Sequence, residues 1–115
     1  MSETLTEYNQ LATFLRKKPN TLIQFSATWC GPCERITPLV RDIFTKLPTD
    51  TRSQHIYIDI DAFPKIAKIF KVNAIPHFRV YNRDTNSTNK PLINGALQAV
   101  TEYCTQQGID LTSIL

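Results

Sequence analysis

A chain of 115 residues, 42% hydrophobic and 20% charged, is long enough for one hydrophobic core and too short for two, so a single domain over residues 1–115 is expected. Thirteen basic against ten acidic residues give a net charge of +3, and apart from Arg16-Lys17-Lys18 the basic residues are scattered. That pattern identifies no nucleic-acid or membrane partner, and no apolar run approaches transmembrane length.

Met1-Ser2-Glu3-Thr4 has neither a basic nor an apolar signal region, so a cytoplasmic location is expected and the sequon Asn86-Ser87-Thr88 should stay idle. Any first strand is confined to a few residues around Glu3 to Leu5. Thr6 to Lys17 places Tyr8, Leu11 and Leu15 on one face with Phe14 beside them, which predicts an amphipathic helix after a Thr cap. Pro19-Asn20 ends it, and the basic triplet complements the negative end of its dipole.

Thr21 to Ala27, with Leu22, Ile23 and Phe25, reads as a buried strand that delivers the run Ala27-Thr28-Trp29-Cys30-Gly31-Pro32-Cys33. A periodic helical pattern follows from Glu34, with Ile36, Leu39, Val40, Ile43, Phe44 and Leu47 on one face. Two cysteines separated by two residues at a strand-to-helix junction form a redox motif, because their sulfurs can bond while the backbone turns. Pro32 suits the first helical turn, where its missing N–H costs nothing, so Cys33 falls inside the helix and Cys30 at its N-terminus. The helix dipole favours the Cys30 thiolate by about 0.3 to 1 kcal/mol, about one pKa unit or less, and the neighbouring thiol supplements it. Cys30 is therefore the expected attacking sulfur and Cys33 the resolving one. Zinc is the weaker alternative, since only Cys104, His55 and His77 remain as further Cys or His ligands. An inert disulfide is another, but so short a loop constrains the unfolded chain little.

Pro38 interrupts the helical pattern and removes the hydrogen bond to the Glu34 carbonyl, so a kink is expected. Gln54 to Asp61 alternates Ile56, Ile58 and Ile60 with polar residues, a strand with one apolar face. A short helix should follow, capped by Asp61 or Ala62, with Pro64 in its first turn and Ile66, Ile69 and Phe70 inward. Lys71-Val72-Asn73 closes it, with Asn73 suited to a left-handed cap. Phe78 to Tyr81 and Pro91 to Ile93 read as the last strands, joined by a long polar loop from Asn82 to Lys90 that lacks glycine. Ala96 to Gln107 is a final helix stopped by Gly108, and the apolar tail Ile109 to Leu115 is suited to docking. This order of elements implies an α/β fold, a mixed sheet with helices on both faces.

The run SATWCGPC, the helical Pro38, Ala74-Ile75-Pro76 before a strand, and Asn94-Gly95-Ala96 together resemble the thioredoxin family over nearly the whole chain. The resemblance implies the thioredoxin fold, a mixed central sheet of four to five strands, and dithiol–disulfide exchange with client proteins. It implies a cis Ile75-Pro76 bond beside the cysteines and a substrate-binding surface of Trp29, Gly31, Pro32, Ala74, Ile75, Pro76 and Gly95. It also implies a monomer that binds no cofactor and is recharged by an NADPH-dependent thioredoxin reductase.

Three residues depart from the family pattern. Gln24 stands where a buried Asp is usual, Glu34 where a Lys is frequent, and His77 where a Thr follows the proline. His77 is read as a hydrogen-bonded histidine, with a local proton carrier as the alternative, and His55 as structural. Cys104, on the last helix, is expected to be a small core hydrophobe. The competing functional reading is a thioredoxin-fold binding subunit that no longer needs turnover; a third, an oxidase or isomerase, turns on a redox potential that sequence does not specify.

Overall fold

A computed structural model describes residues 1–88 and 95–114. Five strands, β1 (Ser2–Thr4), β2 (Asn20–Ser26), β3 (Ser53–Asp59), β4 (His77–Asn82) and β5 (Ser87–Thr88), form one sheet in the order β1-β3-β2-β4-β5. β1 and β2 run parallel to β3, whereas β4 is antiparallel to β2 and β5 to β4. The helices are α1 (Gln10–Arg16), α2 (Gly31–Lys46), α3 (Pro64–Ile69), α4 (Ala96–Gln106) and α5 (Leu111–Ile114).

The period of two along the strands divides the core. Ile23 and Phe25 of β2 and Ile56 and Ile58 of β3 pack with Leu5, Phe63 and Ile66, and Leu11, Phe14 and Leu15 of α1 close over them. Leu22, Phe78 and Val80 pack against Ile36, Val40, Ile43 and Phe44 of α2 and Val100 and Tyr103 of α4. β2 is covered on both faces and is buried from Thr21 to Ser26, so its polar Gln24 must find partners inside the protein. α2 runs unbroken through Pro38, which lies on the exposed side of the helix. Ile109 and Leu111 dock the tail against this same core. Among the described residues no helix is long and apolar enough to cross a membrane.

Several local expectations are corrected. α1 starts at Gln10 rather than after a cap at Thr6: the Gln10 carboxamide oxygen accepts from the Thr6 N–H, the Thr6 hydroxyl and the Glu7 N–H at 2.9, 3.0 and 3.1 Å. Tyr8 is left outside this helix and exposed, its ring edge-on to Phe63. Phe63, not Asp61 or Ala62, occupies the N-cap of α3 ahead of Pro64, and Ile69 points outward at 75% exposure. α3 closes in a Schellman motif, Val72 N–H to the Ala67 carbonyl and Lys71 N–H to that of Lys68, so Lys71 at φ 55° takes the left-handed position expected of Asn73. Gly108, at φ 69°, holds the same position after α4.

The loop expected from Asn82 to Lys90 is corrected over its described residues, which include the short strand β5. β5 pairs Thr88 with Tyr81 and Ser87 with Asn82, leaving the tight turn Arg83 to Asn86. Asn86 adopts φ 50°, the conformation a glycine would otherwise supply. The expected strand at Pro91 to Ile93 lies outside the described residues, as does Asn94.

Candidate active site

β2 carries the chain to Ala27, and the turn that follows sets Cys30 as the N-cap of α2. Its backbone is extended at φ −88° and ψ 112°, its Sγ accepts the Cys33 N–H at 3.3 Å, and its carbonyl accepts the Glu34 N–H at 3.0 Å. Sulfur thus does what a serine or aspartate oxygen does at other helix starts, and the same N–H stabilises negative charge on it. Pro32 lies in the first turn, where it sacrifices no hydrogen bond. Cys30 and Cys33 are joined as a disulfide with Cα atoms 5.2 Å apart, inside the range a disulfide accepts.

Both cysteines are buried, in a small cluster with Ala27 that Ile60 and Ile75 close. Cys30 Sγ lies 3.9 Å from the Ile75 carbonyl oxygen, and the Ile75-Pro76 bond is cis. Pro32, Ala74, Ile75, Pro76 and Gly95 line one groove of about 700 Å³, together with Lys71, His77 and Arg79. Gly31 and Trp29 are exposed and do not line it. Trp29 is 68% exposed yet fixed, because its indole Nε1 donates to Asp61 Oδ2 at 2.7 Å. The sequence suggests only a helix cap at Asp61; nothing in a separation of 32 residues signals that it holds the tryptophan.

His77 is a hydrogen-bonded histidine. Its ring stands edge-on to Phe25, and its Nε2 accepts from Arg79 Nε at 3.1 Å, so the other nitrogen carries the proton. Burial, then the Arg79 charge, push it down to about 4.

Behind Cys33 lies a buried polar chain. The Thr37 hydroxyl spends its proton on the Cys33 carbonyl at 2.7 Å and must therefore accept from Gln24 Nε2 at 2.8 Å, which fixes the amide orientation. Gln24 Nε2 also donates to Ser26 Oγ, and its Oε1 faces His55 Nε2 at 2.9 Å. His55 Nδ1 meets the Ser2 hydroxyl at 2.7 Å, and Arg41 donates to Ser2 and Thr4. Burial foremost, then the Arg41 charge, push His55 down to about 3.

A second cavity, of about 490 Å³, borders Cys33 on this side and is lined by Ala27, Thr28, Glu34, Thr37, Pro38, Arg41 and Tyr57. The Arg41 guanidinium lies over the Tyr57 ring, 5.2 Å from its centroid. Burial and the nearby Asp59 carboxylate push the Tyr57 hydroxyl up, with Arg41 opposing and Glu34 adding. Cys104 is fully buried in the core, and burial pushes its thiol up to about 11. Among the described residues no three His, Cys, Asp or Glu side chains gather as metal ligands.

Curated relatives of this chain include thioredoxins of plant and algal origin. A thioredoxin H-type of Chlamydomonas reinhardtii is 36% identical over 74 residues, 63% of this chain and 62% of the relative. A thioredoxin H-type of Fagopyrum esculentum is 35% identical over 78 residues, 65% of this chain and 63% of the relative. Across such relatives the match spans between 34% and 63% of their own length. The solved thioredoxin of Malassezia sympodialis superposes with a TM-score of 0.76 at 24% identity, covering 92% of each chain, which establishes the shared fold. The thioredoxin family model matches residues 2–103, which takes in every described strand, the Cys30–Cys33 pair and the Ile75-Pro76 bond. This chain belongs to the thioredoxin family.

Proposed function

We propose that the chain is a protein dithiol–disulfide oxidoreductase. Cys30, as thiolate, attacks a client disulfide; one client sulfur leaves as thiolate and the other remains bonded to Cys30. Cys33, deprotonated, then attacks Cys30 Sγ, the second client thiolate departs, and the Cys30–Cys33 disulfide forms. Two electrons pass from the dithiol to the client, and solvent protonates the client thiolates. Recharging falls to an NADPH-dependent thioredoxin reductase, and the chain itself, a monomer, holds no cofactor. A reducing compartment such as the cytoplasm suits this direction of electron flow.

The observation that carries the reading is the cysteine pair at the N-terminus of α2, with Cys30 facing Ile75 and a groove beside it. Pro32, Ala74, Ile75, Pro76 and Gly95 would seat a client segment there, while Trp29 and Gly31 extend the contact. The residues packed directly around the two sulfurs, Ala27, Ile60 and Ile75, are apolar, which suits varied clients. Substitution tests the roles directly. Cys33→Ser should accumulate mixed disulfides with clients through Cys30, because attack proceeds and resolution does not. Stronger trapping by Cys30→Ser would reverse the assignment.

A further inference from the structure

Resolution requires Cys33 to lose a proton, and Gln24 has none to exchange. Its two amide hydrogens are committed to Ser26 and Thr37, and its oxygen to His55. His77 borders the groove beside Pro76, not the cavity beside Cys33, and Arg79 holds it. His55 stands behind Gln24 on β3. Three charged or titratable side chains border the cavity with Cys33: Glu34 and Arg41 from α2 and Tyr57 from β3. Arg41 is a permanent cation committed to Ser2 and Thr4, and the Tyr57 hydroxyl is held protonated by burial and by Asp59, its neighbour two residues along β3. Glu34 is the one carboxylate among the lining residues, and its exposed side chain reaches both the cavity and bulk water.

Resting on the exchange reading above, we propose that Glu34 accepts the Cys33 proton through water in this cavity. As the Cys33 sulfur attacks Cys30 Sγ, the bond from Cys30 to the client breaks. The client sulfur leaves with the bonding electrons, the Cys30–Cys33 bond forms, and the proton passes by way of water to Glu34 and on to solvent. Thr28 lines the same cavity, and its hydroxyl offers such water a polar partner.

The test is single-turnover resolution of a preformed mixed disulfide between Cys30 and a coloured aromatic thiolate, followed by its release across a pH series. Glu34→Gln should slow release about three- to tenfold near neutrality and match the parent at alkaline pH, where Cys33 is already thiolate. Glu34→Asp should recover part of the rate. The sign is diagnostic, since deleting a negative charge beside a thiol favours thiolate and would by itself speed release. Release from Glu34→Gln that is as fast as the parent, faster, or slower by one factor at every pH overturns the assignment. Cys33→Ser should release nothing. A parent protein that also releases nothing overturns the exchange reading, and the role of Glu34 with it.

Discussion

Acid should destabilise this protein through His55. The ring is fully buried, and the committed orientation of Gln24 places an oxygen opposite His55 Nε2, so that nitrogen donates. Nδ1 is then the acceptor of the Ser2 hydroxyl, and a second proton would have to enter there, beside Arg41. Because the folded value lies near 3 and the ordinary value is 6.5, the unfolded chain takes up the proton first. Stability is therefore complete above the ordinary value and is lost as pH falls toward 3. At about 1.4 kcal/mol per pKa unit the loss reaches about 5 kcal/mol at its limit, of which about 2 kcal/mol falls between about pH 7 and about pH 5. Against a total stability of about 5 to 15 kcal/mol this is large. Urea midpoints measured over that range, for the parent and His55→Gln, isolate the contribution. The variant starts lower because the hydrogen bonds change, but its slope against pH should be shallower, and His77 contributes equally to both. Parallel slopes would refute the reasoning.

Gln24→Asp removes both amide donors, and Thr37 cannot turn to compensate because its proton is on the Cys33 carbonyl; denaturation should show a loss of about 2 to 4 kcal/mol. Burial raises the new carboxyl's pKa, so that loss should deepen as pH rises through the carboxylate range, and a loss independent of pH would contradict it. Lys71→Gly relieves a left-handed side chain in a Schellman cap and should stabilise by up to about 1 kcal/mol, while Gly108→Ala, at the equivalent position after α4, should destabilise by about 1 to 2 kcal/mol in the same assay.

What could be read from the residues depended on whether the signal was local. Cys30 at a helix start, Pro32 in the first turn and the apolar stripe Ile36-Val40-Ile43 are determined within a few residues of each other, and the structure places them as expected. Ile56 and Ile58 were legible because strand alternation is also local. The chain from Thr37 through Gln24 and His55 to Ser2 was not, since it depends on the β2–β3 register that sets Gln24 opposite Tyr57 and Leu22 opposite His55. Left-handed positions are hard to read when glycine does not mark them: Lys71 rather than Asn73 takes φ 55°, and Asn86 at φ 50° makes a tight turn where the lack of glycine predicts a longer loop. Gln10 caps backwards onto Thr6 and Glu7 from inside α1, a pattern that in sequence resembles a helix starting at Thr6.

Everything proposed for the site turns on repeated use of the Cys30–Cys33 pair. The decisive assay is reduction of a generic protein disulfide, monitored by NADPH consumption with a thioredoxin reductase present. The parent should complete many turnovers per molecule, and the protein with serine at both cysteines none. Client binding that survives both serines, with no NADPH consumed by the parent, would contradict it and leave a binding subunit in its place.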